Sequence, residues 1–299
     1  MTYCTKKFPV FAVLVTAKLA LATECMDTWG ASRCSSQKKK GFASLWSSPR
    51  CDAARRKEAE RFATQWQPLA APPSEHSSHN HVFLLPSHHL AYVANQKAGS
   101  SSIRDLLRKL GPVYTKLVPY RSVDPSWSEP AAWQRFTRFT FVREPVATFL
   151  SGVSEVASRH YHAYPTLCNS TTRPAYLDAK CGADVLSLFL TDLLARRCIG
   201  TQAYHVWPQT MKLDLPLSRP LDFVGRIEHF EEDMQALLRR VNGTTRNVTS
   251  LLGHRNSAST NLDRCNRPIV FPEAALGQAR PIICELLHSD YECMGAACA

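Results

Sequence analysis

Leu90-Ala91-Tyr92-Val93-Ala94-Asn95-Gln96-Lys97-Ala98-Gly99-Ser100-Ser101-Ser102-Ile103-Arg104-Asp105-Leu106-Leu107-Arg108-Lys109-Leu110 is the stretch from which the fold is read. Its first five residues are a short apolar run with strand propensity. Its last eight put Ile103, Leu106, Leu107 and Leu110 on one helical face, and Gly111-Pro112 ends the helix. Between them lies a loop of small residues carrying one lysine. Strand, Gly/Ser loop and helix follow one another within 21 residues.

Working outward, the pattern repeats. Phe139-Thr140-Phe141-Val142 reads as a strand, Arg143-Glu144-Pro145 as a turn and Val146–Ser158 as a helix, with Pro145 suited to the first helical turn. Asp222-Phe223-Val224-Gly225 is a third strand, leading into a helix over Glu228–Val241 with Leu237 and Leu238 inward. Further helices are expected at Ala183–Cys198 and near Glu273–Leu287, the latter kinked at Pro281. Alternating strands and helices predict an α/β chain, a central parallel sheet flanked by helices. No internal repeat is present.

The loops suggest anion binding. Backbone amides of a small-residue loop can point at phosphate oxygens, and the helix N-terminus behind them adds partial positive charge. Lys97 brings a full charge to the mouth, and Ser100, Ser101 and Ser102 bring hydroxyl donors. The nucleotide-hydrolase signature G-x-x-x-x-G-K-[ST] is absent. Arg143 ends the second strand, and Ser151 lies two turns into the following helix, a pairing suited to a second phosphate. The competing use of Arg143 is an ion pair with Glu144 or Glu155. Open parallel sheets bind ligands beyond the carboxyl ends of their strands, so both loops should converge on one ligand with two separated phosphates.

These residues carry a resemblance. Gln96-Lys97-Ala98-Gly99-Ser100-Ser101-Ser102 resembles the 5′-phosphosulfate loop of sulfotransferases, and Phe141-Val142-Arg143-Glu144-Pro145 with Ser151 resembles their 3′-phosphate segment. Phe223–Asp233, His254-Arg255-Asn256-Ser257 and Glu285–Glu292 are similar to further stretches of the Golgi carbohydrate sulfotransferases. The likeness spans residues 88–295 in the family's order. Two departures stand out: Gln96 where the family usually has Pro before the Lys, and Ala296 in place of a terminal aromatic.

The resemblance implies a P-loop-like, PAPS-binding sulfotransferase fold over residues 82–299. It also implies transfer of a sulfuryl group from 3′-phosphoadenosine 5′-phosphosulfate (PAPS) to a carbohydrate hydroxyl. By it, Lys97, Ala98, Gly99, Ser100, Ser101 and Ser102 bind the 5′-phosphate, with Lys97 also at the bridging oxygen, and Arg143 and Ser151 hold the 3′-phosphate. Such transfer is positioning and charge stabilisation, with no metal required. A glycan acceptor needs a general base. His205, in Tyr204-His205-Val206-Trp207-Pro208-Gln209, is the first candidate, with His160, His162 and Glu155 in reserve. Trp207 is a candidate platform for a sugar face, or a buried aromatic. A glycan-binding protein that keeps the fold without turnover is the alternative.

The rest of the chain bears on compartment. Lys6 and Lys7, the apolar stretch Phe8–Ala17 and Ala20-Leu21-Ala22 read as an export signal over residues 1–22, cleaved or retained as a short anchor. Lys18 interrupts it well before the ~20 apolar residues a membrane span needs. The 299 residues carry 36 Lys+Arg against 25 Asp+Glu and are 44% hydrophobic, which excludes a wholly disordered chain and a multi-span membrane protein. Beyond residue 22 ten cysteines remain, none in CxxC or zinc spacing, and disulfides are the expectation. Sequons begin at Asn169, Asn242 and Asn247. Together they point to the secretory pathway, Golgi or secreted. The net charge of +11 suits a tetra-anionic donor, and no nucleic-acid motif occurs. Residues 23–81, with Lys38-Lys39-Lys40, Pro72-Pro73 and histidines at 76, 79 and 81, read as a largely irregular stem holding one short helix near Asp52–Gln67.

Overall fold

The computed structural model describes residues 45–65, 79–120, 124, 126–162, 176, 184–195, 203–242, 261–263 and 265–298. Five strands form one sheet: β1 (His79–Leu85), β2 (Leu90–Val93), β3 (Tyr114–Pro119), β4 (Thr137–Val142) and β5 (Phe223–Arg226), in the order β3-β1-β2-β4-β5. β2, β4 and β5 run parallel, with Tyr92 opposite Phe139 and Val142 opposite Arg226. This is the expected parallel centre. β1 and β3, which the sequence pattern did not announce, extend it antiparallel on one edge, so the whole sheet is mixed.

Each parallel strand delivers its chain to a helix, because the apolar positions switch there from period 2 to period 3.6. β2 leads to α2 (Ser100–Leu110) and β4 to α3 (Pro145–His162). β5 leads through a short 3-10 turn to α6 (Phe230–Asn242). α1 (Pro49–Gln65) precedes the sheet, α4 (Val185–Leu194) and the one-turn α5 (Gln209–Lys212) fall between α3 and β5, and α7 (Glu273–Leu286) and α8 (His288–Met294) close the chain. α7 contains Pro281.

Alternation along the strands builds two cores. Phe83, Leu85, Leu90, Tyr92, Phe139 and Phe141 face Ile103, Leu106 and Leu107 of α2 and Met234, Leu237 and Leu238 of α6. Val82, Leu84, Ala91, Val93, Val142 and Val224 face the other way, toward α3, α4, α7 and α8. Burying a large aliphatic side chain contributes about 1.5–3 kcal/mol, so helices are held on both faces. The result is an α/β fold whose parallel strands end on one edge.

α1 lies within the stretch expected to be a stem, yet it is fastened to the body. Trp46 is buried in the second core, and the fully buried Cys51 is disulfide-bonded to Cys293 of α8. Cys284 and Cys298 form a second bond, and Cys265 is disulfide-bonded as well. Residues 1–22, Cys25, Cys34, Cys168, Cys181, Cys198, Asn169, Asn247 and the 254–257 motif lie outside the described residues. No helix among the described residues is long and apolar enough to cross a membrane.

Candidate functional site

The carboxyl ends of β2 and β4 are joined below the surface by two amides. Asn95, just past β2, donates from Nδ2 to the Phe141 carbonyl at 3.0 Å and to Gln209 Oε1 at 2.7 Å. Gln209 Oε1 also accepts the Arg143 N–H at 3.0 Å, while its Nε2 donates to the Arg143 carbonyl at 2.7 Å. One buried glutamine thus pairs both backbone groups of Arg143 as a neighbouring strand would. It is itself fixed by Asp290 of α8, which accepts the N–H groups of Gln209 and Thr210 at 2.8 Å each and so caps α5.

Above this floor the first loop turns sharply. Ala98 N–H returns to the Asn95 carbonyl at 3.1 Å, and both Lys97 (φ 70°) and Gly99 (φ 71°) are left-handed. For lysine that conformation is strained by about 1–3 kcal/mol, a cost that clusters at functional sites. A Cβ on Gly99 would lie 2.6 Å from Ile227 Cδ1, so a larger residue would have to displace the end of that side chain, where the turn after β5 closes over the loop, and take a strained left-handed backbone as well. No side chain caps α2, leaving its first amides, Ser100 to Ser102, turned outward beside exposed Ser101 and Ser102 hydroxyls.

Lys97 Nζ lies 2.8 Å from Glu155 Oε2, and Glu155 Oε1 accepts from Arg159 Nε at 2.5 Å. Burial lowers the Lys97 pKa, opposed by Glu155 and assisted by Arg159 and Arg143. Burial works to raise that of Glu155, but Lys97 and Arg159 outweigh it and hold the carboxylate ionised. Glu155 is one helical turn beyond Ser151 on α3, so both predicted phosphate segments meet at this helix.

The two ion pairs weighed for Arg143 are not made. Glu144 instead caps α3, accepting from Ala147 N–H at 2.6 Å and from the Tyr291 hydroxyl at 2.5 Å. Among the described residues no carboxylate pairs with the half-buried Arg143 guanidinium.

His205 arrives in the turn Ala203–His205, laid directly on α3. A Cβ on Gly152 would stand 2.4 Å from the His205 carbonyl oxygen, so only glycine lets the turn settle there, next to Ser151. The ring is buried, and its pKa falls well below the usual value through burial and through Lys97, Lys212 and Arg159. It is neutral at physiological pH. Trp207 is no sugar platform: it is 4% exposed, edge-on to Tyr120 at 5.6 Å. The side chains of His160 and His162, at the end of α3, lie outside those described.

The sequence brought Lys97, Arg143, Ser151, Glu155 and His205 forward; it missed Asn80, Asn95, Lys212 and the floor role of Gln209. Gln209 and Asp290 sat in motifs already singled out. Nothing local distinguishes Lys212 in Met211-Lys212-Leu213 from a surface lysine.

Among comparisons with known proteins, a family model described as the sulfotransferase family matches residues 80–267. No curated protein and no solved structure matches.

Proposed function

Because the chain belongs to the sulfotransferase family, we propose that it moves a sulfuryl group from PAPS to a hydroxyl of a glycan or proteoglycan in the secretory pathway. The observation that carries the reading is the convergence of two cation-bearing loops on α3, with Lys97 bonded to Glu155 one turn from Ser151. The donor set fits a doubly phosphorylated nucleotide: outward amides at an uncapped helix start, an unpaired-with-carboxylate Arg143 guanidinium, and hydroxyls at Ser100–Ser102 and Ser151.

When bound, PAPS supplies an activated sulfuryl group whose leaving oxygen gathers negative charge. Lys97 and the amides of residues 99–102 meet that charge, each good donor contributing about 2.7–4 kcal/mol. Arg143 and Ser151 hold the far phosphate and fix orientation. His205, neutral and beside Lys97, accepts the acceptor's proton at an imidazole nitrogen. Its pKa is held down first by burial and then by neighbouring cations, and an anion resting on Lys97 offsets the second of these. Glu155 holds Lys97 until the anion arrives.

Export signal, sequons and paired cysteines support a lumenal address and hence a glycan acceptor. The test is transfer from radiolabelled PAPS to a panel of glycans, together with the thermal shift produced by PAP. Lys97→Ala should lower transfer by at least about 10²–10³-fold. A PAP shift without transfer to any glycan would leave a binding protein, and neither shift nor transfer would remove the reading.

A further inference from the structure

Lys212 is fully buried, at the end of α5, and is used by none of the steps above. Its ammonium donates to the Gln96 carbonyl at 3.4 Å and to the His205 carbonyl at 3.2 Å. Those acceptors belong to the two segments the chemistry needs in register: Gln96 precedes Lys97, and His205 is the base. The backbone of Lys212 is anchored in turn. Asn80 Nδ2 donates to its carbonyl at 2.7 Å and to the Ala94 carbonyl at 2.8 Å, and Asn80 Oδ1 accepts from Gln96 Nε2 at 3.2 Å.

An ammonium in such a place is expensive, since burial removes its hydration. A methionine of similar length would fill the volume without that cost, and well-packed apolar replacements of buried charges are often neutral or stabilising. Packing therefore does not account for a lysine here, whereas the two carbonyls it joins do.

We propose that Lys212 is a positioning residue, its ammonium acting as a strut that holds the Lys97 loop against the His205 turn. This rests on the sulfotransferase reading. The groups facing Lys212 are Asp290 of α8, Lys97 of the loop and the His205 turn; burial and Lys97 lower its pKa to about 7 against the attraction of Asp290. The strut is therefore charged in mildly acidic solution and discharges as pH rises. Loss of the charge leaves two weaker neutral N–H donors to hold the carbonyls.

The experiment compares the wild-type chain with Lys212→Met. The variant should bind PAP within about threefold of wild type, by thermal shift, while kcat falls at least thirtyfold: a loss in kcat rather than KM that simple loosening of the fold would not produce. In wild type, kcat/KM for PAPS should decline above about pH 7. In the variant that part of the decline should disappear, because the group whose discharge produces it is gone. A folded variant with kcat within threefold of wild type and an unchanged pH limb overturns the proposal. Should the variant fail to fold, the wild-type profile decides: a decline between pH 6 and 8.5 supports the strut, and a flat profile overturns it. Wild type that neither binds PAP nor transfers sulfate sinks the functional reading itself, a different result from a competent wild type with an equally competent variant.

Discussion

Gly152 shows how much of the site depends on single atoms. The carbonyl of His205 occupies the space a Cβ would take, 2.4 Å away, and that carbonyl is backbone, unable to swing aside. Gly152→Ala should lift the His205 turn from α3. Transfer should then drop by one to two orders of magnitude while the PAP thermal shift stays near that of wild type; equal losses in both would show the turn and the loop moving as one. Lys212 adds a pH signature to stability. Its folded pKa of about 7 lies below the ordinary 10.5, so between those values the unfolded chain holds the extra proton. This group therefore costs stability below about pH 7 and the cost is relieved as pH rises toward 10.5. Urea titrations at pH 6, 7.5 and 9 should show wild type gaining stability relative to Lys212→Met along that series. Lys97, Gly99 and Arg143 were legible because strand and helix patterns bracket them. Asn95 and Lys212 were not, because what distinguishes them is burial, and burial is decided by segments more than a hundred residues away.

Elements were legible where both neighbours are apolar. β2, β4 and β5 are covered on both faces and read as apolar runs; α2 and α6 read from their stripes. β1 opens on His79-Asn80-His81, which looks like linker because the polar Asn80 is buried to serve backbone carbonyls. β3 is the sheet edge, with Tyr114 and Leu117 exposed, so no inward-outward alternation marks it. β4 also carries a polar surprise: Arg138, 1% exposed, is paired with Glu129 and donates to the Arg219 carbonyl at 2.8 Å and to Ser218 Oγ at 3.1 Å. Removing one partner of a buried pair typically costs about 3–5 kcal/mol. Glu129→Ala should lower the unfolding free energy from urea titration by that amount, and adding Arg138→Met should recover part of it. If the double variant is no better than the single, the pair is not an isolated unit.

At the scale of the whole molecule, the site depends on α1 and α8, the first and last helices described, together with the middle of the chain. Asp290 and Tyr291 of α8 hold Gln209 and Glu144, the floor and the α3 cap. α8 is in turn covalently bonded to α1 across 242 residues. A bond closing so long a loop contributes about 2–5 kcal/mol. Cys51→Ser should lower thermal stability accordingly and, by loosening α8, weaken PAP binding as well. A variant that melts early yet binds PAP as wild type does would separate the fastening from the site. The sequence supplied an even set of cysteines but not their partners, since pairing is a matter of distance in the folded chain.

The Cys51–Cys293 bond also sets where the chain can be shortened. A version starting at residue 82, after the stretch that reads as a stem, would shed α1 and leave Cys293 as a lone thiol, open under oxidising conditions to mispairing with another copy. A version starting just before Trp46 keeps both partners. For the same reason, material made in a reducing cytosol would lack the fastener on which Asp290 and Tyr291 depend, and would be expected to misreport how tightly the folded protein grips its nucleotide.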